Sequence, residues 1–229
     1  TNIYVDMSSF GGGMTRKIVF TGGGTGGHVT PAIAISEGLR ELYPEVAFRY
    51  VGKKGKVEEG MVPKEWAAYG AKEKEVQFVS TTSGSLKSPK VLFQLGLGFV
   101  QAAAFLLRFR PDAVVATGGY VSAPIVFATG ALKKIGLLKT KIMLHEANAE
   151  LGRMNAAAVK MADKVAVSFP GTKVTAAKKM FVGYPVRKRL VVDVTGEITV
   201  CLGNRLDGDY CTLVRKDLHR TAADRRGVI

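Results

Sequence analysis

A histidine placed directly behind a run of glycines, at the junction of a strand and a helix, can handle a proton beside a bound phosphate. Residues 22–28 read Gly-Gly-Gly-Thr-Gly-Gly-His. They lie between the strand-like run Lys17-Ile18-Val19-Phe20-Thr21 and an alanine-rich pattern that follows Val29-Thr30-Pro31. A strand that ends in glycines and feeds a helix presents backbone N–H groups at the positive end of the helix dipole, which suits a phosphate or diphosphate. Glycine serves there because the turn uses positive φ and because a side chain would hold the anion away from the backbone. Pro31 is expected in the first helical turn, where its missing N–H costs nothing. His28 has an ordinary pKa near neutrality and is a usable general base, and a helix N-terminus favours its neutral form. The run lacks the Lys-Ser/Thr ending of a Walker loop. It also carries a histidine where a dinucleotide fingerprint has small residues, so neither familiar nucleotide loop fits.

Two further groups of polar and glycine residues follow apolar runs. After 113–117 comes Gly118-Gly119-Tyr120-Val121-Ser122-Ala123-Pro124, a second glycine turn opening a helix. Two such turns side by side can grip two phosphates, or two sides of one diphosphate. After Lys141-Ile142-Met143-Leu144 comes His145-Glu146-Ala147-Asn148. His145 and Glu146 either support a site or satisfy local backbone, and Asn148 is either a ligand-binding side chain or a helix N-cap. A His-Glu pair with no further spaced ligand does not make a metal site, so no metal is expected.

The elements that position these residues alternate. Candidate strands fall at 17–21, 47–51, 75–79, 113–117, 140–144, 164–168 and 179–182. Helical stretches fall near 31–43, 57–70, 89–109, 121–135 and 151–160. This alternation predicts an α/β fold with a parallel sheet covered by helices on both faces, and ligands at the carboxyl ends of its strands. The stretch 89–109 is the most apolar. Gln94, Gln101 and two glycines interrupt it, which argues against a bilayer span. It reads as a buried crossover helix, or as an apolar patch with Leu92, Phe93, Leu97 and Phe99 facing lipid. Lys87, Lys90, Arg108 and Arg110 would then form a basic rim that holds anionic headgroups.

Composition bounds the rest. The chain has 229 residues, is 47% hydrophobic and carries a formal charge of +14, so it folds for most of its length and has an anionic partner. No basic run is interleaved with aromatics and no nucleic-acid motif occurs, which argues against nucleic acid. Cys201 and Cys211 have no metal-ligand spacing, and a reduced setting is the default. Residues 1–13 have no periodicity, and Met14 reads as the natural start, so the leader is excluded from fold reasoning.

The motifs also occur in a telling order: Gly-Gly-Gly-Thr-Gly-Gly-His-Val-Thr-Pro at 22–31, Gly-Gly-Tyr-Val-Ser-Ala-Pro at 118–124, His-Glu-Ala-Asn-Ala at 145–149, Ala-Asp-Lys-Val at 162–165 with Ser-Phe-Pro at 168–170, and Gly-Tyr-Pro-Val-Arg at 183–187. Across residues 14 to 190 the series closely resembles the amino-terminal half of the lipid I N-acetylglucosaminyltransferases of peptidoglycan synthesis, the MurG family. The resemblance implies a GT-B glycosyltransferase of two Rossmann-like domains, peripheral at the cytoplasmic face of the plasma membrane and working without metal or cofactor. Such an enzyme moves N-acetylglucosamine from UDP-GlcNAc to the C4 hydroxyl of undecaprenyl-diphosphate-linked muramoyl-pentapeptide, inverting the anomeric centre. It further implies that Gly23, Gly24, Gly118, Gly119 and Tyr120 cradle the acceptor diphosphate and that His28 is the base. Thr25, Gly26, Gly27, Asn148 and Arg187 would contact the UDP-sugar, with the apolar helix on an anionic membrane surface.

Two departures qualify the resemblance. The family usually has Asn where this chain has Tyr184, and Gln where it has Ala147, which puts donor affinity in question. Residues 14–190 are expected to form the acceptor and membrane-binding domain, and 191–229 an aberrant remnant of the start of the donor domain. Glu197-Ile198-Thr199-Val200 reads as a strand, but Cys201 to Leu206 contains no Gly-Gly-Ser-type loop, as after a frameshift or truncation, and the chain by itself is expected to be inactive. Two other readings remain: the membrane-anchoring subunit of a split GT-B enzyme, and a non-catalytic module for anionic ligands.

Overall fold

The computed structural model describes residues 16–68, 70, 76–78, 89–187, 198–201 and 211–214. For 76–78, 89–92, 94, 95, 198–201 and 211–214 only the backbone is described. Its larger unit ends at Arg187. In chain order it comprises β1 (Lys17–Thr21), α1 (Gly26–Leu42), β2 (Ala47–Gly52), α2 (Val57–Ala67), β3 (Val76–Phe78), α3 (Pro89–Phe109) and β4 (Ala113–Ala116). There follow a 3₁₀ turn (Tyr120–Ser122), α4 (Ala123–Lys134), β5 (Lys141–Glu146), α5 (Arg153–Ala158), β6 (Lys164–Val167) and β7 (Lys179–Phe181). The strands form one sheet in the order β3-β2-β1-β4-β5-β6-β7, and every pairing in it is parallel. The expected doubly wound, Rossmann-like α/β fold is therefore the observed one.

The order places a topological switch between β1 and β4. From β1 the chain winds outward through β2 and β3, then returns to β4 and winds the other way, so the connections after β1 and β4 diverge and leave a crevice at their carboxyl ends. Thr21 pairs with Ala116 at the end of that register, and the two glycine turns follow directly.

The central strands read as unbroken apolar runs because both faces are covered. On one face Phe20, Phe48, Tyr50 and Trp66 meet edge to face or tilted beneath α1 and α2. On the other, Val19, Val51 and Val114 pack with Ala102 and Leu106 of α3 and Ile125 and Ala128 of α4. Farther along, Ile142, Leu144, Val165 and Val167 pack with Met154 and Ala158 of α5.

Several boundaries differ from expectation. Helix α1 begins at Gly26 instead of 31, because Thr25 is extended (φ −143°, ψ 156°) and its carbonyl accepts the N–H groups of His28 and Val29 at 3.2 and 3.3 Å. Pro31 therefore lies in the second turn, inside the helix. Strand β5 continues through Glu146, so His145 and Glu146 are strand residues, and α5 covers only part of 151–160. The second unit contributes β8 (Ile198–Cys201) and β9 (Cys211–Val214), an antiparallel pair. The first matches the expected strand, and the second was not anticipated. The leader 1–13 lies outside the described residues.

Candidate functional site

Past the ends of β1 and β4, the two glycine turns continue the ladder and then interlock. Thr117 N–H donates to the Thr21 carbonyl at 2.9 Å, and Gly23 N–H donates to the Gly118 carbonyl at 3.3 Å. Gly118 and Gly119 have φ of +97° and +78°, and a Cβ on Gly119 would collide with the Gly23 carbonyl oxygen. A Cβ on Gly118 would lie 3.0 Å from His28 Cδ2. The second turn is thus a bare backbone floor on which the first turn and the His28 ring rest.

The first turn divides into an inner and an outer part. Gly23 N–H is taken by Gly118, and Gly24 N–H donates to Glu58 Oε2 at 3.0 Å. Glu58, in the first turn of α2, is fully buried and also accepts Lys53 N–H at 3.1 Å. A Cβ on Gly23 would lie 2.5 Å from its carboxyl carbon. Of the residues expected to cradle a diphosphate, Gly23 and Gly24 therefore turn their N–H groups inward. The N–H groups of Gly26 and Gly27 precede the first intrahelical bond of the 17-residue α1 and stand at its positive end. Gly24, Thr25 and Gly27 are exposed.

His28, the third residue of α1, is half-buried. Its Nδ1 lies 2.9 Å from Thr25 Oγ1, and its carbonyl accepts the Thr117 hydroxyl at 2.5 Å. Burial lowers its pKa from 6.5, with the Glu146 carboxylate opposing, so the ring is neutral at physiological pH and within the electrostatic reach of an anion.

On the far side of β4, Glu146 is a buried organiser of the loop after β5. Oε1 accepts Asn148 N–H and Nδ2 at 3.0 and 2.9 Å, and Oε2 accepts Gly152 N–H and Asn155 Nδ2 at 2.8 and 2.9 Å. Asn148 is thereby held at an exposed position by a strand-end carboxylate and is no N-cap, since Gly152 caps α5. His145 is fully buried, 3.4 Å from the Ser168 hydroxyl and edge-on to Tyr184 at 6.4 Å between centroids, and its Nδ1 makes no well-formed hydrogen bond. Burial pushes its pKa to about 4 against the Glu146 charge and a Gly183 backbone group. It is a neutral packing residue behind the site.

The structure thus brings Thr25, Gly26, Gly27 and His28 together with Gly118 and Gly119, and places Tyr120, which is exposed, at the same edge. Arg187 pairs with Glu65 of α2 at 2.9 Å, largely buried, and its described partner is that carboxylate. Sequence reasoning missed Glu58, Thr117 and Asn155. The first two had a legible signal, an acid in the first turn after β2 and a threonine directly after β4. Asn155 had none. Along α3, Gly98, Ala102 and Leu106 are buried, whereas Phe93, Leu97, Phe99, Val100 and Leu107 are exposed, Phe93 at 75%. Arg108 is exposed beside them; Lys87 lies outside the described residues, as do the side chains of Lys90 and Leu92. Among the described residues no helix is long and apolar enough to cross a membrane.

Comparison with known proteins agrees with the fold. Residues 18–167 match the glycosyltransferase family 28 N-terminal domain. Several relatives carry the name UDP-N-acetylglucosamine–N-acetylmuramyl-(pentapeptide) pyrophosphoryl-undecaprenol N-acetylglucosamine transferase. The one from Halothermothrix orenii is 36% identical over 194 residues, 82% of this chain and 49% of its own. That from Exiguobacterium is 32% identical over 220 residues, 93% of this chain and 58% of its own. The chain spans about half the length of the curated relatives it matches. Among solved structures, MurG of Acinetobacter baumannii superposes with a TM-score of 0.58 at 23% identity, over 76% of this chain and 46% of that one. The lipopolysaccharide outer core galactosyltransferase WaaB superposes at 0.50 and 12%, over 73% and 45%. At such identities the likeness is one of fold, that of the amino-terminal Rossmann-like domain of a GT-B glycosyltransferase.

Proposed function

The chain belongs to glycosyltransferase family 28, and we propose that it forms the acceptor-binding half of an inverting enzyme that passes N-acetylglucosamine from UDP-GlcNAc to a polyprenyl-diphosphate-linked muramoyl-pentapeptide. The observation that carries this reading is the placement of a neutral, half-buried imidazole at the open N-terminus of α1, on the floor made by the second glycine turn. The names borne by the relatives supply the two substrates.

In this reading the acceptor diphosphate, displaced from Gly23 and Gly24 because their N–H groups turn inward, rests on the N–H groups of Gly26 and Gly27, which the resemblance assigned to the UDP-sugar, and the Tyr120 edge of the second turn flanks it. The acceptor C4 oxygen attacks C1 of the donor sugar, and the C1–O bond to UDP breaks with its electron pair leaving on the diphosphate. The hydroxyl proton passes to His28. The Glu146 charge, which raises the basicity of His28, steadies the imidazolium that forms. Asn148, fixed by Glu146, and Arg187, freed from Glu65, serve the UDP-sugar. An arginine suits the leaving diphosphate because it places fixed charge where negative charge develops. The outward face of α3 seats the domain on the cytoplasmic face of the plasma membrane, with Phe93, Leu97 and Val100 in the headgroup boundary.

A chimera tests the reading. Residues 16–187 joined to the carboxyl-terminal half of the Listeria monocytogenes relative, which is 35% identical over 184 residues, should transfer labelled N-acetylglucosamine to lipid I. His28→Ala in the chimera should lower turnover by about 10² or more with little change in UDP-GlcNAc binding. A folded chimera that binds both substrates and turns over equally well with and without His28 would remove the base assignment. Vesicle flotation checks the membrane face: Phe93→Asp with Leu97→Asp should release the chain from vesicles containing anionic lipid, and retention would move the contact elsewhere.

A further inference from the structure

Thr25 occupies the N-cap of α1 yet does not cap it. A threonine there ordinarily accepts a hydrogen bond from the backbone N–H two or three residues on. In this chain no such side-chain bond forms. The hydroxyl is 2.9 Å from Nδ1 of His28, the third residue of the helix, and the His28 N–H goes to the Thr25 carbonyl. The spacing Thr-Gly-Gly-His thus diverts a helix-stabilising group onto an imidazole.

We propose that Thr25 is a positioning residue that fixes the tautomer of His28, holding the proton on Nδ1 and presenting unprotonated Nε2 as the acceptor of the substrate proton. The inference rests on the reading of His28 as the base and adds which nitrogen acts and what selects it. A proton on Nδ1 has Oγ1 as its acceptor, whereas Nε2 makes no hydrogen bond among the described residues, so a proton there would have only water. The ring lies against the backbone of the second turn. A Cβ on Gly118 would lie 3.3 Å from Nε2, and one on Gly119 3.3 Å from Nδ1, so the two glycines support the ring along its length. The Thr25 side chain is exposed at the helix end, so its own hydroxyl proton is available to an anion bound at Gly26 and Gly27. One hydroxyl then donates to the ligand and accepts from the base, and a bound diphosphate reinforces the productive tautomer.

The test uses the chain itself, with ¹⁵N-detected side-chain NMR of His28 at a pH above its titration, alone and with inorganic pyrophosphate. The wild type should show Nδ1 at a protonated and Nε2 at an unprotonated shift, sharpened by pyrophosphate. Thr25→Ser should keep that pattern. Thr25→Val should exchange the two shifts without lowering the melting temperature, because no cap is lost. A proton on Nε2 in the wild type, or a Thr25→Val spectrum unchanged from it, overturns the proposal. If Thr25→Val does not fold, Thr25→Ala gives the same comparison. Absence of pyrophosphate binding alongside the predicted tautomers would count against the diphosphate reading and leave the role of Thr25 standing.

Discussion

The two glycine turns look alike in the sequence and do different physical work. Each follows a central strand and opens a helix, but the first keeps its outer N–H groups at the head of a 17-residue helix. The second uses positive φ at both glycines to lie flat beneath its neighbour. In the outer part of the first, glycine leaves room outside the protein, since a Cβ on Gly24 or Gly26 would meet nothing within 4 Å. In the second, it leaves room inside, where Gly23 and His28 press against the backbone. A glycine-rich strand-to-helix turn is therefore evidence of close approach, and only the packing says whether a ligand or another part of the chain does the approaching.

Substitution should separate the two sharply. Gly119→Ala forces a methyl into the Gly23 carbonyl and a strained φ, and should destabilise the domain by about 3 kcal/mol or more in urea unfolding. A loss under about 1 kcal/mol would show that the turns are not locked.

The comparison extends to the histidines behind and upon the turns. His145 is neutral in the native state with a pKa of about 4 and takes up a proton near 6.5 when unfolded, so the unfolded state binds more protons between those values. Stability should be full above pH 6.5 and fall by about 3 kcal/mol as the pH drops toward 4. His145→Gln should flatten that limb, whereas His28→Gln, at a half-exposed ring, should change it less. Equal flattening by both would erase the distinction between a packing and a site histidine.

A smaller effect is expected at Glu58, which ties the inner half of the first turn to α2. Glu58→Gln keeps one acceptor and should cost about 2 kcal/mol, through the loss of a charged acceptor for the Gly24 or Lys53 N–H. Smallest is Gly26→Ala: it should leave stability unchanged or raise it by up to about 1 kcal/mol, while weakening pyrophosphate binding. A stability gain with undiminished binding would place the anion elsewhere.

Much of the fold was legible because its signals are local. The apolar runs of β1, β2 and β4 and the glycine breaks after them are confined to a few residues each, and alternation alone gave the parallel sheet. Boundaries failed where a nonlocal or backbone choice decided them. Nothing in Gly26-Gly27 announces helix, and α1 begins there because Thr25 turns extended. His145 and Glu146 read as loop residues, but pairing with Ala166 and Val167 of β6 draws them into β5. At the site, motif order pointed to His28, Thr25 and the glycines together. It could not show that Glu58 already occupies the Gly24 N–H, or that Glu65 holds Arg187, since both depend on α2 lying beside residues distant in sequence.

The division of labour between the turns is tested most directly by backbone amide NMR of the chain titrated with inorganic pyrophosphate. The account predicts saturable shifts largest at Thr25, Gly26 and Gly27, with Gly23, Gly24, Gly118 and Gly119 moving less. Largest shifts at Gly118 and Gly119, or equal shifts across both turns, would contradict it.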